Sequence, residues 1–149
     1  NTGNALDAAC GSDARGSDLR ALAAAEALAV FDAAGIGVAT KAEVAARRDG
    51  FSVGEVDGQS RSGSSSWQSL ARGAGSIEAD FLNGEIVLLG RLNGVPTPVN
   101  ETLQRLANRM ATAGEAPGSL SLAQVGLFAL SGSVNPKAPR FSPRNTGSR

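Results

Sequence analysis

Apolar residues recur every three or four positions through the middle of this chain, and that spacing leaves helices as the economical way to bury them. Ile77, Phe81, Gly84, Leu88 and Leu92 form one stripe, and Val99, Leu103, Leu106 and Met110 form a second. The composition agrees. The apolar residues are mainly alanine and leucine, tyrosine is absent, and aromatic residues make up only 4% of the chain, a mixture that favours helices over strands. We therefore expect an all-α domain of five to seven helices.

The stop signals divide the chain. Asn4 to Gly11 reads as a short helix with Gly11 as its cap, and Gly11 to Gly16 as a polar connection. Ser17 is a good N-cap for a helix from Leu19 to Ala34, on which Leu22, Glu26 and Val30 stack and Leu28 and Phe31 extend the apolar surface. Thr40 opens a further helix over 41–48. Residues 51–63 resist assignment. Ser64 to Ser66 precede a short helix from Trp67 to Ala71, and Ser76 is the expected N-cap of a helix from Ile77 to Leu92. Gly84 and Gly90 lie inside that helix, where each costs about 1 kcal/mol relative to alanine, so another backbone should approach closely there. Thr97 can cap the next helix with Pro98 in its first position, and Gly114 and Pro117 stop it. Within it, Glu101 and Arg105 are spaced to pair. One more short helix is expected within 119–129. The chain from Ser131 onward, with Pro136, Pro139 and Pro143, reads as a disordered tail. The expected division is a helical domain over 1–114, then a short helix and tail over 115–149.

Charge and residue inventory exclude several functions. Lysine and arginine together number 14, as do aspartate and glutamate, so no basic excess points to a nucleic acid. No apolar run approaches the ~20 residues that cross a bilayer. Histidine is absent, which removes the commonest general base and metal ligand, and no metal-ligand spacing exists. The single cysteine, Cys10, permits no intrachain disulfide and reads as a small buried helix residue, in keeping with a cytoplasmic protein. Gly73-Ala74-Gly75 is only a fragment of a phosphate-binding loop, with no strand before it.

Few residues are then left for chemistry. Glu78 and Asp80 could act as an acid–base pair, or could simply be first-turn acids favoured by the helix dipole. The Ser64 to Ser66 run could bind a ligand or cap a helix, and Asn1 and Asn4, one turn apart, could face a common ligand or cap a helix themselves.

Several motifs in order bear on that choice. Ser65-Ser66-Trp67 is followed, after a spacer, by Glu78-Ala79-Asp80-Phe81-Leu82-Asn83-Gly84, and then by Gly94-Val95-Pro96-Thr97-Pro98-Val99-Asn100-Glu101-Thr102-Leu103. From Ser64 to Ala107 the chain resembles the C-terminal, substrate-side domain of the ketopantoate reductases, in which a serine pair precedes a methionine and a Glu-x-Asp-aromatic core follows. Trp67 stands in place of that methionine. The resemblance implies a fold of the ketopantoate reductase and 6-phosphogluconate dehydrogenase C-terminal type. It implies reduction of 2-dehydropantoate to pantoate with NADPH, on the route to pantothenate. By the same resemblance Glu78 orients the substrate, Ser66 meets its carboxylate, and Asn1 and Asn4 match substrate-binding asparagines. Asp80, Phe81 and Asn83 are expected to hold the helix that presents Glu78. The family's catalytic lysine would fall four residues before Asn1, and the N-terminal Rossmann half with its glycine fingerprint would also lie outside this chain. The expected partners are the 2-oxo acid, that N-terminal half and, in addition, a second copy in a homodimer. Two alternatives stand beside this reading: a helical dimerisation or partner-binding module without catalysis, and a reductase of another 2-oxo acid.

Overall fold

Two helices carry the interior of the computed structural model, which describes residues 1–49 and 63–132. The first, α1 (Asn4–Cys10), is so rich in alanine that neighbours approach it on every side, and Ala5 through Cys10 are all buried. The second is α6 (Pro98–Ala113), whose stripe Leu103, Leu106 and Met110 lies in the same core as α1, with Val99 packed at its margin. Packed with them are α2 (Asp18–Ala33), α4 (Ser65–Ala71), α5 (Ala79–Leu92) and α7 (Leu122–Gly132), with a 3₁₀ turn over Gly11–Ala14, while the described side chains of α3 (Lys41–Arg48) are exposed. No strand occurs among the described residues, as an all-α fold requires.

The local stop and start signals mostly act as read. The Ser17 side chain accepts from the Arg20 N–H, Ser64 accepts from the Trp67 N–H, and Thr40 forms a capping box with Glu43. Gly114 closes α6 in the left-handed conformation at φ 66°. Two expected caps fail. Helix α5 begins at Ala79 behind Glu78, not behind Ser76. Thr97 precedes α6 without a side-chain bond to it. Glu26 of α2 does that work from a distance: its carboxylate accepts from the Val99 and Asn100 N–H groups, both at 2.9 Å. The tail expected from Ser131 falls outside the described residues beyond Gly132, and Ser131 and Gly132 themselves end α7. Val125 of α7 shares the main core, and the Gly118 and Leu120 N–H groups donate to the Ala8 and Ala9 carbonyls, so the segment after α6 closes the C-terminal end of α1.

The expected stripes hold only in part: Val30 on α2 and Ile77 and Gly84 of the other stripe are buried, while the rest turn elsewhere. Phe81 is 82% exposed and Leu92 72%, and Leu88, Leu22 and Leu28 also face outward. The buried face of α5 is Asn83, Gly84, Ile86, Val87 and Gly90, and that of α2 is Ala23, Ala27 and Val30. These faces follow the neighbouring helices: Ala27 and Val30 of α2 pack with Ile86 of α5, and Gly84 of α5 lies against Gln104 of α6. The expected Glu101–Arg105 pair is replaced as well: Glu101 reaches Arg91 of α5 at 3.0 Å. Asp80 ties the same two helices, accepting from Gln104 Nε2 at 2.7 Å and Asn108 Nδ2 at 2.8 Å, bonds that lower its pKa.

The two helical glycines are not equivalent. A Cβ on Gly90 would lie 2.7 Å from the Val95 carbonyl oxygen, where the chain turns back from α5 toward α6. On Gly84 it would meet the amide end of Gln104 at 2.7 Å, the far end of a long side chain that can shift at the expense of its bond to Asp80. Gly90→Ala should therefore destabilise the fold by about 1–2 kcal/mol, the cost of overpacking less the helix propensity gained. Gly84→Ala should cost less, and urea denaturation of both variants checks the order.

Candidate functional site

The N-terminal ends of α1, α4 and α5 converge, and three polar side chains meet there. Asn4 opens α1, Ser65 is the first residue of α4, and Glu78 immediately precedes α5. The start of α4 is anchored on α1 by two bonds. The Ser64 N–H donates to Asp7 Oδ2 at 2.6 Å, and the Ser64 hydroxyl donates to the Asn4 carbonyl at 3.2 Å. Ser65, one residue on, is thereby held beside both Asn4 and Glu78. Its hydroxyl donates to Glu78 Oε2 at 3.2 Å and accepts from Asn4 Nδ2 at 3.4 Å. Glu78 makes no side-chain bond to the helix it precedes, so its carboxylate is available to this group.

The residues singled out in the sequence distribute unevenly around this point. Asn4 and Glu78 come together through Ser65, a residue the sequence reading passed over in favour of its neighbour. Ser66 faces the interior at 1% exposure, and its Oγ has no hydrogen-bond partner among the described residues. About 100° of helical rotation per residue separates the two serines, enough to send one outward and the other inward. Ser64 caps α4, which leaves Ser65 as the serine that faces the neighbouring helix starts. Asn1 lies apart from the line of three. Its carbonyl accepts from the Asn4 N–H at 3.0 Å, and it lines a groove of about 400 Å³ between α2 and α5 together with Leu28, Phe31 and Phe81.

A buried polar network underlies the site. Asn83 Nδ2 donates to the Thr2 carbonyl and to Asn100 Oδ1, both at 2.9 Å. Asn100 Nδ2 in turn donates to the Ala23 carbonyl at 3.0 Å and to Glu26 Oε2 at 2.7 Å. Asn83 and Asn100 are fully buried, so these bonds pin the Asn1 to Gly3 segment, α2, α5 and α6 in one register. Asn83 thus has the structural role expected of it.

The residues present do not fit a dinucleotide. No strand exists among the described residues, and Gly73 and Gly75, though both at positive φ, follow the helix α4, so no strand–loop–helix cradle forms for a pyrophosphate. No group of acidic or cysteine side chains that could hold a metal ion occurs among the described residues. Cys10 is buried, and its surroundings, with Asp13 adding to the effect, raise its thiol pKa, the reverse of what activates a nucleophile. No helix among the described residues is long and apolar enough to cross a membrane.

Comparison with known proteins is consistent with this geometry. No curated protein and no solved structure matches the chain. A family model does: that of the ketopantoate reductase PanE/ApbA C terminal matches residues 4–111, from the first residue of α1 nearly to the end of α6. The match takes in well over half of the 149 residues, including Asn4, Ser65, Glu78 and the whole Asn83–Asn100–Glu26 network. The chain belongs to the ketopantoate reductase C-terminal domain family.

Proposed function

We propose that the chain is the substrate-binding domain of an NADPH-dependent 2-dehydropantoate 2-reductase, acting on the route to pantothenate. The observation that carries this reading is the Asn4–Ser65–Glu78 line at the meeting of three helix starts, within a domain of a reductase family. A small 2-oxo acid needs neutral donors for its carboxylate and an acceptor for the hydroxyl formed on reduction. Asn4 supplies an amide and Glu78 the acceptor, while Asn1, expected to supply a second amide, lies apart on the groove between α2 and α5. Ser66, expected to meet the acid's carboxylate, has its oxygen enclosed in the interior, so the serine at the surface of this line is Ser65. In this reading the cofactor and the general-acid lysine are supplied by a Rossmann domain of the complete reductase, in keeping with the lack of a strand–loop–helix cradle among the described residues. The chain's own share is to bind and orient the acid.

A complete reductase containing this domain should consume NADPH with 2-dehydropantoate faster than with pyruvate or 2-oxoisovalerate. Preference for another acid would reassign the substrate, and no consumption with any 2-oxo acid would overturn the reading. The 149-residue chain by itself should not oxidise NADPH, and measurable oxidation would overturn the division of labour.

A specific observation also favours a partner surface. Leu28 and Phe81 are exposed on the two helices that flank the Asn1 groove, and Leu88 and Leu92 continue the outward face of α5. This face suits the Rossmann half or a second copy of the domain. Sedimentation of the chain over a range of concentrations distinguishes self-association from a surface reserved for the other domain.

A further inference from the structure

We infer that Ser65 is a positioning residue, holding Glu78 in the orientation that meets the substrate. The inference rests on the substrate-side reading above and adds to it a residue with a defined task.

The argument starts from what Ser65 does not do. In a serine run before a helix, the first use of a hydroxyl is capping, and here Ser64 has that task through the Trp67 N–H at 3.2 Å. Ser66 is turned into the core. Ser65 is therefore the one serine of the three whose hydroxyl is spent neither on its own helix nor in the interior. A hydroxyl has one donor and two acceptor sites. The Ser65 donor goes to Glu78 Oε2, and one acceptor site takes the Asn4 amide.

Glu78 needs such a partner. It is exposed, and its side chain is not engaged by its own helix. A free glutamate loses rotamer entropy when fixed, and that cost would otherwise fall on substrate binding. With Oε2 held by Ser65, Oε1 is left to accept from the substrate. The support for Ser65 is itself rigid, because Asp7 and the Asn4 carbonyl both hold Ser64, so α4 starts at a fixed place on α1. Asp7 is buried against this junction, which places the anchor in the core and the hydroxyl at the surface.

Two measurements test the inference. In the 149-residue chain, Ser65→Ala and Glu78→Ala should each shift the side-chain amide resonance of Asn4 in ¹H–¹⁵N spectra, and an Asn4 signal that ignores either change would show that the line does not form. In the complete reductase, Ser65→Ala should lower kcat/KM about tenfold with Tm unchanged, while Ser65→Thr, which keeps the hydroxyl, should recover most of the loss. The double variant Ser65→Ala/Glu78→Ala should be no worse than Glu78→Ala, because Ser65 acts only through Glu78. Additive losses, or a normal Ser65→Ala enzyme beside a crippled Glu78→Ala enzyme, overturn the role of Ser65 and leave the substrate-side reading standing. A normal Glu78→Ala enzyme overturns both.

Discussion

Asn100→Leu should destabilise the fold by about 3–5 kcal/mol, the largest effect we expect from one side chain of similar volume. The substitution keeps the bulk and removes every side-chain bond at the centre of the network. Asn83 Nδ2 keeps only the Thr2 carbonyl, and Glu26 keeps the two α6 backbone donors but loses the Asn100 amide. Each buried polar group left short costs about 1–3 kcal/mol. Against a typical total stability of about 5–15 kcal/mol, such a loss lowers Tm by roughly 10–20 °C. Thermal and urea unfolding of the 149-residue chain measure it directly. A loss below about 1 kcal/mol would mean that water enters and replaces the missing bonds. The network also orders the substrate side, because Asn83 holds Thr2 and so the segment leading to Asn4.

The second large effect concerns activity. In a complete reductase, Glu78→Ala should lower kcat/KM by at least ~100-fold, the lower end of what acid–base and positioning groups contribute. Folding should be nearly unaffected. Glu78 is exposed, and its side chain caps nothing in α5, so its removal deletes only the Ser65 contact. A large loss of kcat/KM at unchanged Tm is therefore the expected signature. Near-normal activity would remove Glu78 from the site.

These two residues mark the boundary of what could be read in advance. Glu78 could be singled out because its motif context is local: an acid in the expected first turn of a helix, followed by Asp80 and a run of apolar residues. Asn100 was legible only as part of a motif, and its partner Glu26 was read as one position on a helix stripe. The bonds joining them cross more than seventy residues of sequence, a distance at which spacing carries no information. The caps show the same division. Ser17, Thr40 and Gly114 act on their own helices and were readable, whereas the first N–H groups of α6 are met from α2 in place of Thr97.

The sequence by itself determined that the chain is helical, where most of its helices start and stop, which stripe of α6 is buried, and which family it belongs to. Helix propensity, capping and 3.6-residue periodicity act within a few residues, so each leaves a local trace. Only the tertiary structure decided that Phe81, Leu88 and Leu92 face outward, that Gly84 of α5 lies against Gln104 of α6 and Gly90 against the Val95 carbonyl, and that Ser65 and not Ser66 stands beside Glu78. Those outcomes depend on how closely two helices approach and how each is rotated about its axis, and both are set by contacts between residues far apart in the chain.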